Sequence, residues 1–319
     1  MLGVRADCSK TSFFRRDKTM LQYLPYLGGF ALLAFLCFGF WLRKRYKFWY
    51  AEGLKYKDVS YVPPRAGWLG RFFRWTVGRV TAFLFLGPVR IHNGKALKDP
   101  RRLVILPNHQ TERDAVVIPR ILGLRRVRYL IASSQVSPRR AMWVAFTGGI
   151  SVHHDTNPGA AVRVTSDTLS KDGDTSLVIF PEGELHPDGE MKREGFHDGA
   201  IVIPRLAERL AGKRQQKEKD KERPTAVGRA AVESQNPPSA YAVVPTYIRY
   251  ERDRKKAGCC QRLLLFFGLD RWRLFYGERT YGVDVYFGTP VSLSDLPEKN
   301  SDATTWVFEE ISRLKAQTK

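Results

Sequence analysis

Cysteine is scarce in this chain of 319 residues: four occur, Cys8, Cys37, Cys259 and Cys260. They fit neither a metal-ligand spacing nor a disulfide framework, and adjacent cysteines rarely bridge each other. The pattern is that of a reduced, cytosol-facing chain. No Gly-x-Ser-x-Gly occurs, which excludes the elbow that presents a nucleophilic serine. Acids are few beside bases, 32 against 53, leaving a net charge of +21. Such an excess attracts either nucleic acid or an anionic membrane surface. With 43% hydrophobic and 27% charged residues, the chain is not a disordered one, and it is long enough for one large or two modest domains.

Residues 1–20 form a polar, basic extension. From Leu21 to Leu42 no charge interrupts 22 residues rich in Leu and Phe, enough to cross a bilayer core, which needs about 20. Tyr23, Tyr26 and Trp41 stand near its ends as an aromatic belt would. A cleaved signal peptide is the competing reading, but the run exceeds the usual core of about 7–15 residues and no small-residue cleavage site follows. The run is therefore read as a membrane anchor, transmembrane or re-entrant, with the catalytic domain facing the cytosol. Residues 43–87 mix basic and aromatic side chains suited to the headgroup region. A shorter apolar patch, Val80 to Leu86, reads either as interfacial or as a core helix of the following domain. The anchor and the interfacial aromatics account for the positive charge, so no nucleic-acid partner is expected.

From residue 88 onward, short apolar runs alternate with helical stretches. Strands are expected at Val89–His92, Leu103–Leu106, Arg128–Ala132, Gly149–Val152, Leu177–Phe180, Tyr241–Val244 and Val283–Phe287, and helices at Pro138–Phe146, Ala160–Ser170 and Asp302–Lys315. This alternation predicts an α/β fold with a mostly parallel sheet and flanking helices, spanning 88–319. The charged stretch at 211–239 reads as a helix end running into a flexible insertion.

One stretch carries the chemistry. The apolar run Leu103–Leu106 stops at Pro107; Asn108 and His109 follow, and after four more residues comes Asp114. The apolar residues beyond Asp114 (Val117, Ile118, Ile121, Leu122) read as a helix packed on that strand. His109 and Asp114 then lie at a strand's C-terminal end, where open α/β sheets place ligands. In a continuous helix, residues five apart diverge by about 140°, so contact between them requires a turn, which Pro107 and Asn108 permit. In contact, the carboxylate fixes one ring nitrogen and frees the other to take a proton from a hydroxyl.

Phe180-Pro181-Glu182-Gly183 sits where another strand ends. A carboxylate beside a glycine at such a rim can accept hydrogen bonds from a polyol while the backbone approaches closely. Gly149 leads a third strand that ends at His153 and His154, and Val244-Pro245 closes a fourth at its proline.

Taken in this order, Asn108-His109, Asp114, the glycine-led strand at Gly149, Phe180-Pro181-Glu182-Gly183 and Val244-Pro245 resemble the glycerolipid acyltransferase family of the lysophosphatidic acid acyltransferase (PlsC-like) type. The pairing of His-x4-Asp with Phe-Pro-Glu-Gly is specific where each alone would be weak. The resemblance implies a membrane-bound O-acyltransferase that moves a fatty acyl group from acyl-CoA or acyl carrier protein to a hydroxyl of a (lyso)glycerolipid. His109 would be the general base, Asp114 would orient it, and no acyl-enzyme would form. Asn108, Pro181, Glu182, Gly183, Gly149 and His153 would serve the acceptor, and Val244 and Pro245 would support the acyl or acceptor pocket. No cofactor or metal is implied, and membrane lipids and the acyl thioester are the partners.

Two positions depart from the family pattern. An arginine usually ends the motif that here ends in His153 and His154, and Thr or Ser and then Arg usually follow Phe-Pro-Glu-Gly where this chain has Glu184 and Leu185. Both changes remove phosphate ligands, and Glu184 repels a phosphate at short range; Lys192, Arg193 or Arg163 would have to compensate. A neutral or amino lipid acceptor is the alternative, as is a non-catalytic lipid-binding relative. A metal-dependent hydrolase built on His153, His154, Asp155, His186 and His197 is a further rival, weakened because adjacent residues on a strand point to opposite faces.

Overall fold

The computed structural model describes residues 29, 33, 36–37, 40, 62, 68–82, 86–123, 125–133, 136, 144, 148–153, 158–187, 189–222, 239–252 and 280–318. The chain divides into two compact units, Met1–Glu52 and Gly53–Lys319. In the first, Gly29, Leu33, Leu36, Cys37 and Phe40 are helical and exposed. The rest of the expected anchor, Leu21–Leu42, lies outside the described residues, among which no helix is long and apolar enough to cross a membrane.

The second unit is built on a sheet whose described strands are β1 (Val89–His92), β2 (Arg102–Pro107), β3 (Val127–Ala132), β4 (Gly149–Val152), β5 (Ser176–Val178), β6 (Tyr241–Glu251), β7 (Gly282–Phe287) and β8 (Val291–Ser292). Their order is β1-β7-β6-β2-β5-β3-β4, with β8 on β6. Every pairing is parallel except those of β6 with β7 and β8. The helices are α1 (Trp68–Thr81), α2 (Asp114–Leu122), α3 (Pro158–Lys171), α4 (Gly199–Glu222) and α5 (Asn300–Ala316). The mostly parallel α/β sheet expected from the sequence is therefore present.

Side chains of β2 alternate between two cores. Leu103 and Ile105 pack with Val117, Ile118 and Ile121 of α2, while Val104 and Leu106 pack with Leu169 of α3, Ile201 of α4 and Ile311 of α5. Burial on both faces is why the strand reads as a continuous apolar run. On α5, Ala303, Val307, Ile311 and Leu314 are buried at helical spacing, with Trp306 partly buried beside them. Of the patch at Val80–Leu86, Ala82 and Leu86 are buried in the cluster that holds α2.

Three boundaries refine the sequence reading. β5 ends at Val178, two residues short of Phe180, because Phe180 turns out of the sheet to a partner in the site. α4 runs on to Glu222, so the charged stretch begins as helix; residues 223–238 lie outside the described residues, as does most of Pro138–Phe146. The third concerns Pro245. A proline was expected to close its strand, yet β6 runs through it to Glu251. The carbonyl of Pro245 accepts from Gly288 N at 2.8 Å, and a strand residue's nitrogen points the same way as its own oxygen. The missing N–H therefore faces the turn between β7 and β8, not the β2 ladder, and costs no rung. Gly288 suits that approach: a Cβ there would lie 3.2 Å from the Pro245 oxygen. Beyond the proline, β6 pairs with β7, from Thr246↔Phe287 to Glu251↔Gly282.

Candidate active site

The end of β2 is laid onto that second half of β6. Asn108 N donates to Thr246 O at 3.3 Å. The Asn108 side chain then replaces a strand rung, Oδ1 accepting from Ile248 N at 2.6 Å and Nδ2 donating to Ile248 O at 3.2 Å. Gln110 Nε2 reaches the same carbonyl at 2.9 Å. With the turn fixed there, Asp114, the first residue of α2, folds back beneath it. Its Oδ2 accepts from Gln110 N at 2.9 Å and Thr111 N at 3.1 Å. The same oxygen lies 2.8 Å from His109 Nδ1. Oδ1 accepts from the Tyr250 hydroxyl.

A carboxylate can only accept, so the network puts the hydrogen on Nδ1 and leaves Nε2 as the basic nitrogen. Asp114 is fully buried, whereas the His109 side chain keeps 22% of its exposure. No described residue bonds to Nε2. The imidazole lies on Phe180, with ring centroids 4.1 Å apart and planes 23° apart, which explains why Phe180 leaves the sheet.

The following loop grips the histidine backbone from both sides. Glu182, 1% exposed, accepts from His109 N at 3.1 Å through Oε1, and His186 N donates to His109 O at 2.8 Å. The His186 imidazole stands 3.5 Å from Glu182 Oε2. Gly183 turns the chain with φ of 67°, a conformation glycine adopts without cost, and a Cβ there would lie 3.0 Å from His197 Cδ2. Pro181 is buried, its carbonyl accepting from His197 N.

The remaining expected residues are spread across the sheet. Val244 is buried in the core beside Ile105, its partner in the ladder, and Pro245 is level with Leu106. Gly149 is level with Tyr129, and a Cβ there would meet Ile131 Cδ1 at 2.7 Å and Val144 Cγ1 at 2.8 Å, so its smallness serves close packing. His153 follows the end of β4 at the same rim as His109 but three strands away, about 14 Å at the usual strand spacing. Its Nδ1 meets Ser133 Oγ at 2.9 Å, and its buried Nε2 has no hydrogen-bond partner among the described residues. His154 and Asp155 lie outside the described residues, among which no three His, Cys, Asp or Glu side chains are grouped to hold a metal ion. Arg193 donates to Thr305 Oγ1, Ser301 O and Phe196 O at 2.8–3.2 Å, so it is tied to α5.

Compared with known families, residues 88–246 match the acyltransferase family. That stretch holds the histidine turn, Phe180–Gly183 and β6 as far as Thr246. Residues 88–246 form an acyltransferase-family domain. Among solved structures, the 1-acyl-sn-glycerophosphate (LPA) acyltransferase PlsC from Thermotoga maritima is similar at 16% identity, with 78% of this chain and 80% of that one covered and a TM-score of 0.48. No curated protein matches.

The candidate site also contains residues that sequence reasoning did not assign to it. Ile248 and Tyr250 lie beyond the matched stretch and about 140 residues from the histidine. Only the extension of β6 past Pro245 brings them there. His186 was considered solely as a metal ligand, whereas its backbone N–H and imidazole both face the histidine clamp. Phe180 was read as the last residue of a strand. An aromatic one step before Pro-Glu-Gly was the available signal for the stacking role.

Proposed function

We propose that this enzyme transfers a fatty acyl group from an acyl thioester, on coenzyme A or acyl carrier protein, to a hydroxyl of a (lyso)glycerolipid-type acceptor at a membrane surface. The observation that carries this reading is the buried Asp114 carboxylate holding Nδ1 of a histidine whose Nε2 stays available. His109 Nε2 takes the proton of the acceptor hydroxyl as its oxygen attacks the thioester carbonyl. The tetrahedral adduct collapses, the C–S bond breaks, and the proton passes from Nε2 to the departing thiolate. Asp114 stabilises the imidazolium between those two steps, as the acid of a catalytic triad does. Bringing acceptor and thioester together at one strand rim supplies much of the rate, since a hydroxyl held in line needs no further encounter.

The membrane reading draws on α1, where Trp68 and Phe72 are exposed and stack at 5.8 Å and Arg79 lies 4.5 Å over the Trp75 ring. Rings and a cation on one helix suit the headgroup zone, and the charge of +21 draws the chain to anionic lipid. A second acceptor class, a lipid without a phosphate, is favoured by one observation. Arg193, which could have replaced a missing phosphate ligand, is committed to α5, while Glu184 and Leu185 beside the clamp are exposed.

The test is transfer of label from acyl-CoA and acyl carrier protein into a panel of lysophosphatidic acid, larger-headgroup lysophospholipids and neutral or amino lipids in vesicles, with His109→Ala beside the wild type. Label in one product, lost in the variant, is the expected result. Folded wild-type protein that labels nothing with either donor would leave the non-catalytic lipid-binding reading.

A further inference from the structure

Asp114 receives four hydrogen bonds: from His109 Nδ1, from Gln110 N and Thr111 N, and from the Tyr250 hydroxyl. Two of these are backbone bonds fixed by the turn. Among the described residues, Tyr250 is the one side-chain donor besides the histidine itself, and it alone bonds Oδ1. Tyr250 is 8% exposed and is placed by the β6–β7 pairing, Tyr250↔Val283. Burial, and then the charge of Asp114, hold its hydroxyl well above the ordinary tyrosine range. It remains a neutral donor wherever the enzyme works.

We infer that Tyr250 is a positioning residue that, through its bond to Oδ1, holds the Asp114 carboxylate and moderates the charge it presents to His109. The inference rests on His109 as the general base proposed above. A hydrogen bond to a carboxylate draws charge from it, so the Tyr250 hydroxyl weakens the field Asp114 exerts on the imidazole. Other charged or titratable groups near the pair are held by the fold: Arg113 donates to Thr280, Glu182 is bonded to His109 N, and His186 faces Glu182. Tyr250 is where the pair can be tuned without moving the backbone.

Tyr250→Phe keeps the ring and removes the donor. Two readouts follow across pH in the full-length protein: the acidic limb of kcat, and the rate at which diethyl pyrocarbonate modifies His109, read by mass spectrometry. Removing the donor strengthens the carboxylate's hold on the imidazolium, so both midpoints move up together by about half a pH unit. Placing 3-fluorotyrosine at 250, whose more acidic hydroxyl donates more strongly, moves them down. Unchanged midpoints in both variants, or activity reduced equally at every pH alongside a lower melting temperature, would overturn the inference and leave Tyr250 a packing residue. The modification readout does not depend on turnover. If the wild type transfers no acyl group the general-base reading fails by itself, while the midpoints still decide whether Tyr250 tunes the pair.

Discussion

Replacing Asn108 with alanine separates two roles that the sequence left together. An asparagine beside the proposed general base invites assignment as a substrate ligand, but its amide is spent on Ile248. In Asn108→Ala, Ile248 N loses an acceptor at 2.6 Å, whereas Ile248 O keeps the Gln110 amide at 2.9 Å. Both Asn108 and Ile248 are fully buried, so one donor is stranded away from water, at a cost of about 1–3 kcal/mol. Taking about 2 kcal/mol, and roughly 2–4 °C per kcal/mol for domains of this class, the melting temperature falls by roughly 4–8 °C. The same bond sets where the turn leaves β2, and a displacement of about 1 Å can cost a hundredfold in rate. We expect kcat to drop roughly tenfold to a hundredfold with KM for the acceptor little changed. Thermal unfolding in detergent and steady-state transfer over an acceptor titration measure both. A variant that melts like the wild type and shows a raised KM with kcat intact would refute this reasoning and return Asn108 to the acceptor.

Two further outcomes follow from the geometry. Gly183→Ala forces a side chain into a left-handed conformation, a penalty of about 1–2 kcal/mol, and presses on His197. Because Glu182 is the next residue, the variant should lose kcat severalfold with a small drop in melting temperature; unchanged activity would detach that turn from the clamp. At the far edge of the sheet, burial pushes the Asp284 carboxyl up, but hydrogen bonds from Arg90 and His92 outweigh it and leave the group below the usual carboxylate range. Its contribution to stability is therefore present above the unfolded value of about 3.9 and lost as pH falls through the folded value. Arg90 is half exposed, so the effect is modest: Asp284→Asn should melt lower than wild type at pH 7, and the two curves should converge as pH falls through the folded value. A difference that persists at pH 2 would mean that something other than the charge is lost.

What the sequence disclosed was local. Hydrophobic runs located strands of the sheet such as β2, β4 and β6, because these are buried on both faces. The interval between His109 and Asp114 announced a turn because no helix could join them. What it concealed came from far along the chain. Pro245 misled because a missing N–H normally ends a strand, and whether that gap faces a ladder or a turn depends on Gly288, which only the folded β7–β8 connection supplies. With β6 ending at its proline, Ile248 and Tyr250 have no reason to be near His109. Glu182 was legible as a functional carboxylate, but its bond to His109 N depends on β5 lying beside β2, which spacing does not encode. What binds at the rim is equally a matter of how residues from separate strands meet.

The seat of the histidine also has a consequence for the order of events during synthesis. His109 leaves the ribosome about 140 residues before Ile248 and Tyr250, and until they arrive the Asn108 amide has no strand to complete and Asp114 lacks its fourth partner. A nascent chain that stops short of residue 250 carries the whole His-x4-Asp sequence without the support that shapes it. Competence therefore comes late, when β6 has docked beside β2 and β7 has closed the register beyond the proline. Long-range pairing of this kind forms slowly, which sets an interval between making the histidine turn and fixing its geometry.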